Sequence, residues 1–416
     1  MSGLRPELQD IIDEAASVLG QPMTLEDRQL NLIAFAAQRT PVDEVRQNSI
    51  LQRRQPSEVL RWFEQFGIAD SKDPVATPAD PARGILPRLC FPIRWRAVTY
   101  GYIWALGEPK AVDDPAVFQV KELAEHAGSY LYQLDRQRED QSLVVADLLS
   151  SDSDLVRTSA LRASDQGLLA WDRPVACLIV GAWNPAPTEP ININLSHLPK
   201  HVLARRGPTS TTLLLQTETV NGRESADALA RSVIALYEQR TPAGDGSRIA
   251  AGIGQFKSDL TQARTSWMEA KIAVRVAASD QTTVPVQNFG ELGIYRLVAC
   301  APDPDLYAAI IDKAVGALTQ QPDETLVTTV LAYLDRAGRA TDTAEFLNIH
   351  RQTLYYRLEK AQRITGLDFS DGRHRTRLHI ALLLAPILSL DPPTWVACRA
   401  GPNSENAPGT ERIGFV

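Results

Sequence analysis

Residues Ala340 to Leu358 read ATDTAEFLNIHRQTLYYRL, the pattern of a short helix, a sharp turn and a second helix whose outward side carries residue types that contact DNA. Thr341 or Asp342 can cap the first helix by offering a side-chain oxygen to its free N–H groups, and Ala344 and Leu347 give it a small apolar side. Asn348 follows where the chain must reverse, and Asn tolerates the left-handed conformation better than any residue but Gly. Ile349 returns the chain to the core. From His350 the second helix is predicted to run to Thr365, with Leu354, Leu358 and Ala361 on its inward side and Gly366 placed to end it. The opposite side presents Arg351, Gln352, Thr353, Tyr355 and Tyr356, then Lys360 and Arg363. Gln can bond adenine through both amide atoms, Thr can touch a thymine methyl, and Arg can bond guanine or phosphate.

Amphipathic helices with basic outer faces are common, and most charged faces are only solvated. The distribution of charge separates the two readings. Arg336 to His379 holds nine Lys or Arg against five Asp or Glu, an excess of four in a chain of net charge −7, which leaves about minus eleven on the rest. Positive charge is thus segregated into the end that would face DNA. His350, His374 and His379, half of the six histidines, lie there too.

The run YLDRAGRATDTAEFLNIHRQTLYYRLEKAQRITGLDFSDGRHRTRLHIALLL, within Leu331 to Leu384, resembles the C-terminal helix-turn-helix domain of the PucR-like regulators of purine catabolism and sugar-diacid use. The family's Gly-Val-His-Arg-Asn-Thr and the Tyr-Arg-Leu after it fall on Asn348, Ile349, His350, Arg351, Gln352 and Thr353, then Tyr356, Arg357 and Leu358. This chain departs from that pattern at Asn348, where Gly is usual, and at Gln352, where Asn is usual. The extra methylene of Gln352 changes the reach of its amide and hence the bases it prefers. The resemblance implies a cytoplasmic transcription regulator whose partners are double-stranded DNA, a second copy of the chain and a small-molecule effector. No membrane, metal or cofactor is implied. The DNA-contacting set is Arg339, Thr341, His350, Arg351, Gln352, Thr353, Tyr355, Tyr356, Arg357, Lys360 and Arg375. Within it Gln352, Thr353 and Tyr356 are assigned to bases, and Arg339, Arg351, Arg357 and Arg375 to phosphates. Arg357 has a second reading, as a brace paired with an acid such as Asp335.

Outward from this motif, 416 residues with 44% hydrophobic content suffice for several cores. The fold class expected is multidomain α/β plus all-α. Residues 1–138 form a GAF-like sensor or dimerisation domain, 139–305 a degenerate GGDEF-like domain, 306–390 the helix-turn-helix domain and 391–416 a disordered tail. The opening MSGLRPELQDIIDEAASVLG has the period of an amphipathic helix, with acids among its apolar positions, rather than the basic start and apolar run of a signal peptide. The longest apolar run, Leu378 to Leu390, is about thirteen residues and too short to cross a bilayer. Cys90, Cys177, Cys300 and Cys398 are far apart, lack metal-ligand spacing and fit a reducing compartment.

In the first third, a helix from Pro6 to Leu19 precedes strands at Pro22 to Asp27 and Asn31 to Phe35. Helices follow near Val42 to Gln52 and Ser57 to Phe66, then strands at Ile85 to Ile93 and Ala97 to Leu106, and a long helix from Pro115 to about Arg138. This order, with the paired strands LPRLCFPIRWRAVTYGYIWAL, resembles a small GAF-like domain. Cys90, Trp95, Tyr100, Tyr102 and Trp104 fit the lining of a pocket, although alternating aromatics on a strand are more often core or dimer interface.

The middle region is predicted as strands Pro174 to Gly181, Thr211 to Thr217 and Arg248 to Gly252, with helices near Leu195 to Leu203, at Ser225 to Gln239 and after Gly254. It resembles the degenerate cyclase-like domain of many PucR-like regulators. An active enzyme of that class carries Gly-Gly-Asp/Glu-Glu in a hairpin to hold nucleotide and metal. Here the hairpin reads Arg205, Arg206, Gly207, Pro208, Thr209, Ser210, with no acid. Gly252-Ile253-Gly254 lacks the third glycine of a dinucleotide fingerprint. His197 and His201, four apart, have Pro199 between them and no third zinc ligand. Nothing in the sequence argues for an enzyme. Two readings of other classes stay open: a nucleotide-binding or nucleotide-turnover signalling protein, and a ligand-binding adaptor whose helix-turn-helix makes no DNA contact.

Overall fold

A computed structural model describes residues 6–28, 30–36, 57–111, 113–183, 187, 190–191, 193–195, 198–199, 201–218, 222–241, 247–279, 284–321 and 324–388. The helix expected at Val42 to Gln52, most of the loop after Trp183, His197 and the tail expected at 391–416 lie outside them. The chain divides into two units, Met1–Leu143 with Asn194–Leu198, and Val144–Ile193 with Pro199–Val416.

In the first unit, Leu8, Ile12, Ala15, Ala16 and Leu19 recur at helical spacing and are buried on one side of α1 (Pro6–Leu19). Strands β1 (Met23–Asp27) and β2 (Leu32–Ala36) follow, then α2 (Ser57–Glu64), the short β3 (Val75–Thr77), and β4 (Arg88–Trp95) and β5 (Val98–Leu106). They form one antiparallel sheet in the order β2-β1-β5-β4-β3. Because side chains alternate along a strand, Met23, Leu25, Leu89, Phe91, Ile93, Ile103 and Ala105 share one face and pack with α1 and with α3 (Pro115–Leu148). The long helix does not stop near Arg138, as sequence spacing suggested. Its last turns bury Val144, Val145 and Leu148 in the core of the second unit, and this burial holds the exposed charged stretch Arg136 to Asp140 in helical form.

The second unit continues with α4 (Ser153–Asp165), whose first turn is capped by the Asp152 carboxylate accepting from the Asp154 and Leu155 N–H groups at 2.9 and 3.2 Å. Strands β6 (Val175–Trp183), β7 (Val202–Arg206), β8 (Ser210–Gln216), β9 (Arg248–Ile253) and β10 (Val286–Asn288) make a second sheet in the order β10-β9-β6-β8-β7. β6 is central and buried along its whole length, which accounts for its uninterrupted apolar sequence. Residues Val202 and Leu203, expected at the end of a helix, are strand instead. Pro199 restricts the residue before it to extended backbone, and pairing with Leu215 and Leu214 then keeps both side chains buried. One face of the sheet packs on α6 (Ala263–Ala277), the other on α5 (Arg223–Glu238), where the Tyr237 hydroxyl meets Thr211 Oγ1 at 2.9 Å.

The C-terminal segment of this unit is helical: α7 (Asp303–Ile310), α8 (Lys313–Thr319), α9 (Glu324–Asp335), α10 (Ala340–Phe346), α11 (Arg351–Thr365) and α12 (Gly372–Leu388). The protein is thus mixed α/β with a C-terminal helical region. Among the described residues no helix is long and apolar enough to cross a membrane.

Candidate nucleic-acid interface

The candidate surface is built by α10 (Ala340–Phe346), the four residues Leu347 to His350 and α11 (Arg351–Thr365). Neither Thr341 nor Asp342 caps α10: Arg339 occupies the N-cap position and makes no capping bond, because Thr341 and Asp342 already lie inside the helix. Asp342 instead pairs with Arg339 at 3.0 Å, and the Thr341 hydroxyl accepts from the Arg351 guanidinium, tying the starts of the two helices together. The chain turns at Asn348 with φ of 51°, the left-handed value that its short amide side chain accommodates. The Ile349 N–H then donates to the Ala344 carbonyl at 3.0 Å and its side chain packs on the domain core.

His350 caps α11 through its ring, Nδ1 accepting the Gln352 N–H at 3.3 Å, so the first residue of the HRQT run sets where the helix begins. The sequence had marked His350 only as a contact residue. The missed signal was a side chain with a ring nitrogen able to accept at an N-cap. Gly366, at φ 67°, ends the helix. Leu354, Leu358 and Ala361 are buried against Leu326 and Val330 of α9 and Leu378, Ala381 and Leu382 of α12. That packing turns the other side of α11 outward.

His350, Arg351, Gln352, Thr353, Tyr355 and Tyr356 are all exposed, and Tyr355 and Tyr356 at 52% and 61% are among the most exposed large side chains described. Arg339 and Thr341 are exposed beside them, whereas Lys360 is half-buried further along α11. Two of the expected phosphate ligands are held more firmly. Arg357 is half-buried and donates to Thr329 Oγ1 of α9 at 3.1 Å, so it braces α11, but on a hydroxyl rather than on Asp335. Asp335 bonds His379 Nε2 at 2.8 Å. Arg375 is half-buried over the turn after α9, where Gly338 leaves room: a Cβ there would lie 2.7 Å from Arg375 Nη1. Nearby, the Arg336 guanidinium stacks 3.4 Å from the ring centroid of Phe346, a half-buried cation over an exposed aromatic that sequence spacing gave no reason to pair.

The residues singled out in the first unit part into two groups. Cys90, Tyr102 and Trp104 lie on the sheet face opposite α1 and pack with Phe63 of α2. Trp95 and Tyr100 instead meet Tyr132 of α3, with ring centroids 5.9 and 5.8 Å away. The first face is unusual in burying Glu26 and Arg88 among aromatics, at 1% and 4% exposure. Burial pushes the Tyr102 hydroxyl up to about 12 and the Cys90 thiol well above its ordinary range.

In the second unit the pair Gly252 and Gly254 has a packing role. A Cβ at Gly252 would lie 2.1 Å from the Val274 nitrogen, and one at Gly254 1.9 Å from the Ser266 carbonyl oxygen. The glycines let β9 and the residues after it lie directly on the backbone of α6. The β7–β8 hairpin carries the acid-free run Arg205 to Ser210 at its turn. Among the described residues no cluster of His, Cys, Asp or Glu is grouped to hold a metal ion.

Comparison with known proteins adds to this geometry. Residues 326–384 match the PucR C-terminal helix-turn-helix domain. The chain is similar to the proline-responsive transcriptional activator PutR of Bacillus subtilis, at 22% identity over 91% of this chain and 96% of that protein. It is also similar to the DNA-binding transcriptional activator AdeR of the same organism, at 21% identity over 91% of this chain and 92% of that protein. The purine catabolism regulatory protein of B. subtilis is 26% identical over 41% of this chain and 33% of its own length.

Proposed function

We infer that this PucR-like, DNA-binding transcriptional regulator reads duplex operators as a homodimer, and that a small molecule bound in its first unit controls the reading. The exposed row Arg351, Gln352, Thr353, Tyr355 and Tyr356 on a helix whose other side is fully buried carries this conclusion. Laid in the major groove, the first turn of α11 brings Gln352 and Thr353 to base edges, with Tyr356 one turn on. Arg339, Thr341, His350, Arg351 and Tyr355 flank them against the phosphates. In this arrangement Arg357, Lys360 and Arg375, all half-buried, reach the backbone from the rim. A homodimer would place two such helices about 34 Å apart, or a multiple of it.

The antiparallel sheet flanked by helices supports a GAF-like reading of the first unit, 1–138. A buried face mixing Glu26, Arg88, Tyr102 and Trp104 supports an effector there, since burying charge is costly in a face that serves packing alone. The acid-free hairpin supports a degenerate GGDEF-like domain over 139–305, leaving 306–390 to read DNA. The chain works where the chromosome lies, in the cytoplasm, and as a reader of DNA rather than an enzyme.

Selection of genomic fragments by the purified protein, followed by footprinting, tests this reading. On the selected operator, Gln352→Ala is expected to weaken binding by about 1–3 kcal/mol and to relax one base position. Arg351→Ala should weaken operator and unrelated DNA alike. Operator binding unchanged in both variants would remove α11 from the groove. The same titrations should show affinity falling steeply with salt, and a salt-independent isotherm would favour an adaptor that never touches DNA.

A further inference from the structure

The helix-turn-helix region is not a separate bead on the chain. α12 serves two cores: Leu378, Ala381 and Leu382 pack under α11, while Leu384, Ile387 and Leu388 pack with Ile272, Ala273 and Val276 of α6, the helix that covers the second sheet. At that second contact lies Arg275, 5% exposed. Its Nη1 donates to Asp303 Oδ1 at 2.9 Å, and its Nη2 bonds both Asp303 Oδ2 and, at 2.7 Å, the backbone carbonyl of Ile387. One guanidinium therefore holds three helices: α6 that bears it, the first residue of α7, and the last turn of α12, where carbonyls lack helical partners. Its Nε is buried and has no hydrogen-bond partner among the described residues.

An ion pair in an apolar cluster is seldom the most stable choice, because replacing both partners by apolar side chains of similar volume does as well or better, although removing one alone leaves the other buried and unpaired. What the fork adds is direction: two parallel bonds to a carboxylate and a third to a carbonyl admit one arrangement, whereas apolar surfaces can slide. The other end of α12 carries Arg375 and packs against α11, so the angle fixed at Arg275 is the angle at which the recognition helix is presented.

We propose that Arg275 is a positioning residue for operator recognition: through Asp303 and the Ile387 carbonyl it sets the orientation of the helix-turn-helix on the second sheet, and with it the half-site spacing the dimer accepts. The proposal rests on the two-half-site reading above.

The test uses the full chain with two duplexes, the selected operator and a single half-site, and with operators lengthened or shortened by three base pairs between half-sites. Arg275→Met made together with Asp303→Asn, so that no buried carboxylate is left without its cation, is expected to melt within a few degrees of the wild type and to bind the half-site within about twofold. It should bind the operator at least tenfold more weakly and lose most of its preference for the native spacing. A merely structural role would lower half-site and operator binding together, and that parallel loss overturns the proposal. So does a variant with wild-type spacing preference. Should that double variant not fold, Arg275→Lys alone, which keeps the charge but loses the fork, decides on the same duplexes. If the wild type itself shows no spacing preference, the two-half-site reading fails instead, whatever the variants do.

Discussion

Gly254→Ala is expected to destabilise the second unit by about 3 kcal/mol or more, although it adds a single methyl group. The added carbon would lie 1.9 Å from the Ser266 carbonyl oxygen and 2.5 Å from its hydroxyl, so the strand end and α6 must separate. That separation pulls on two further bonds. The Ser266 hydroxyl accepts the Cys177 N–H at 2.9 Å, and the Gly254 N–H donates to the Cys177 carbonyl at 2.9 Å, joining α6, β6 and β9 at one point. For a unit of this size the change corresponds to a fall in melting midpoint of roughly 6–12 °C, readable by calorimetry. A midpoint within about 2 °C of the wild type would mean that the close approach is not real. Added nucleotide should give no protection, because the glycines face a helix backbone and not a phosphate.

Leu354→Ala is expected to cost about 2–5 kcal/mol, the range for truncating a leucine in a well-packed core. Leu354 is 0% exposed at the centre of the cluster that joins α9, α11 and α12. Its loss leaves a cavity beneath the first turn of the recognition helix. Operator binding should fall together with the melting midpoint, and for that reason. Gln352→Ala gives the contrasting result, lost affinity at an unchanged midpoint, since its side chain is exposed and contributes little buried surface to the fold. If Leu354→Ala bound operator normally with an unaltered melt, the inward side of α11 would be misassigned and the whole reading face with it.

How much of this was legible in the sequence depends on the range of the interaction. The turn at Asn348, the stop at Gly366 and the inward row Leu354, Leu358 and Ala361 are set within a few residues, and each was readable from residue type and spacing. β1, β2, β4, β5, β6, β8 and β9 were readable as apolar runs, whereas the short edge strands β3 and β10 and the strand β7, read as the end of a helix, were not. The cap of α10 was misread because Thr341 and Asp342 suit an N-cap chemically, while their neighbours place the helix start earlier. α3 was cut short because the burial that extends it comes from side chains far along the chain. Arg357 was given an acid as its alternative partner, yet the group it meets is a hydroxyl 28 residues away. The role of Arg275 is not legible from its neighbours: nothing near it in the sequence hints at Asp303 or at a carbonyl 112 residues on.

The sharing of α12 also bears on how such a regulator can be taken apart. A helix that completes one core with its first half and a second core with its last half is not an exchangeable cassette. A fragment beginning after α6 would keep every residue of the reading face and still present Leu384, Ile387 and Leu388 bare to water. Grafting this DNA-binding region onto a foreign sensor therefore means transplanting the surface of α6 as well, and chimeras cut between them should aggregate, while those cut within the exposed middle of α3 should not.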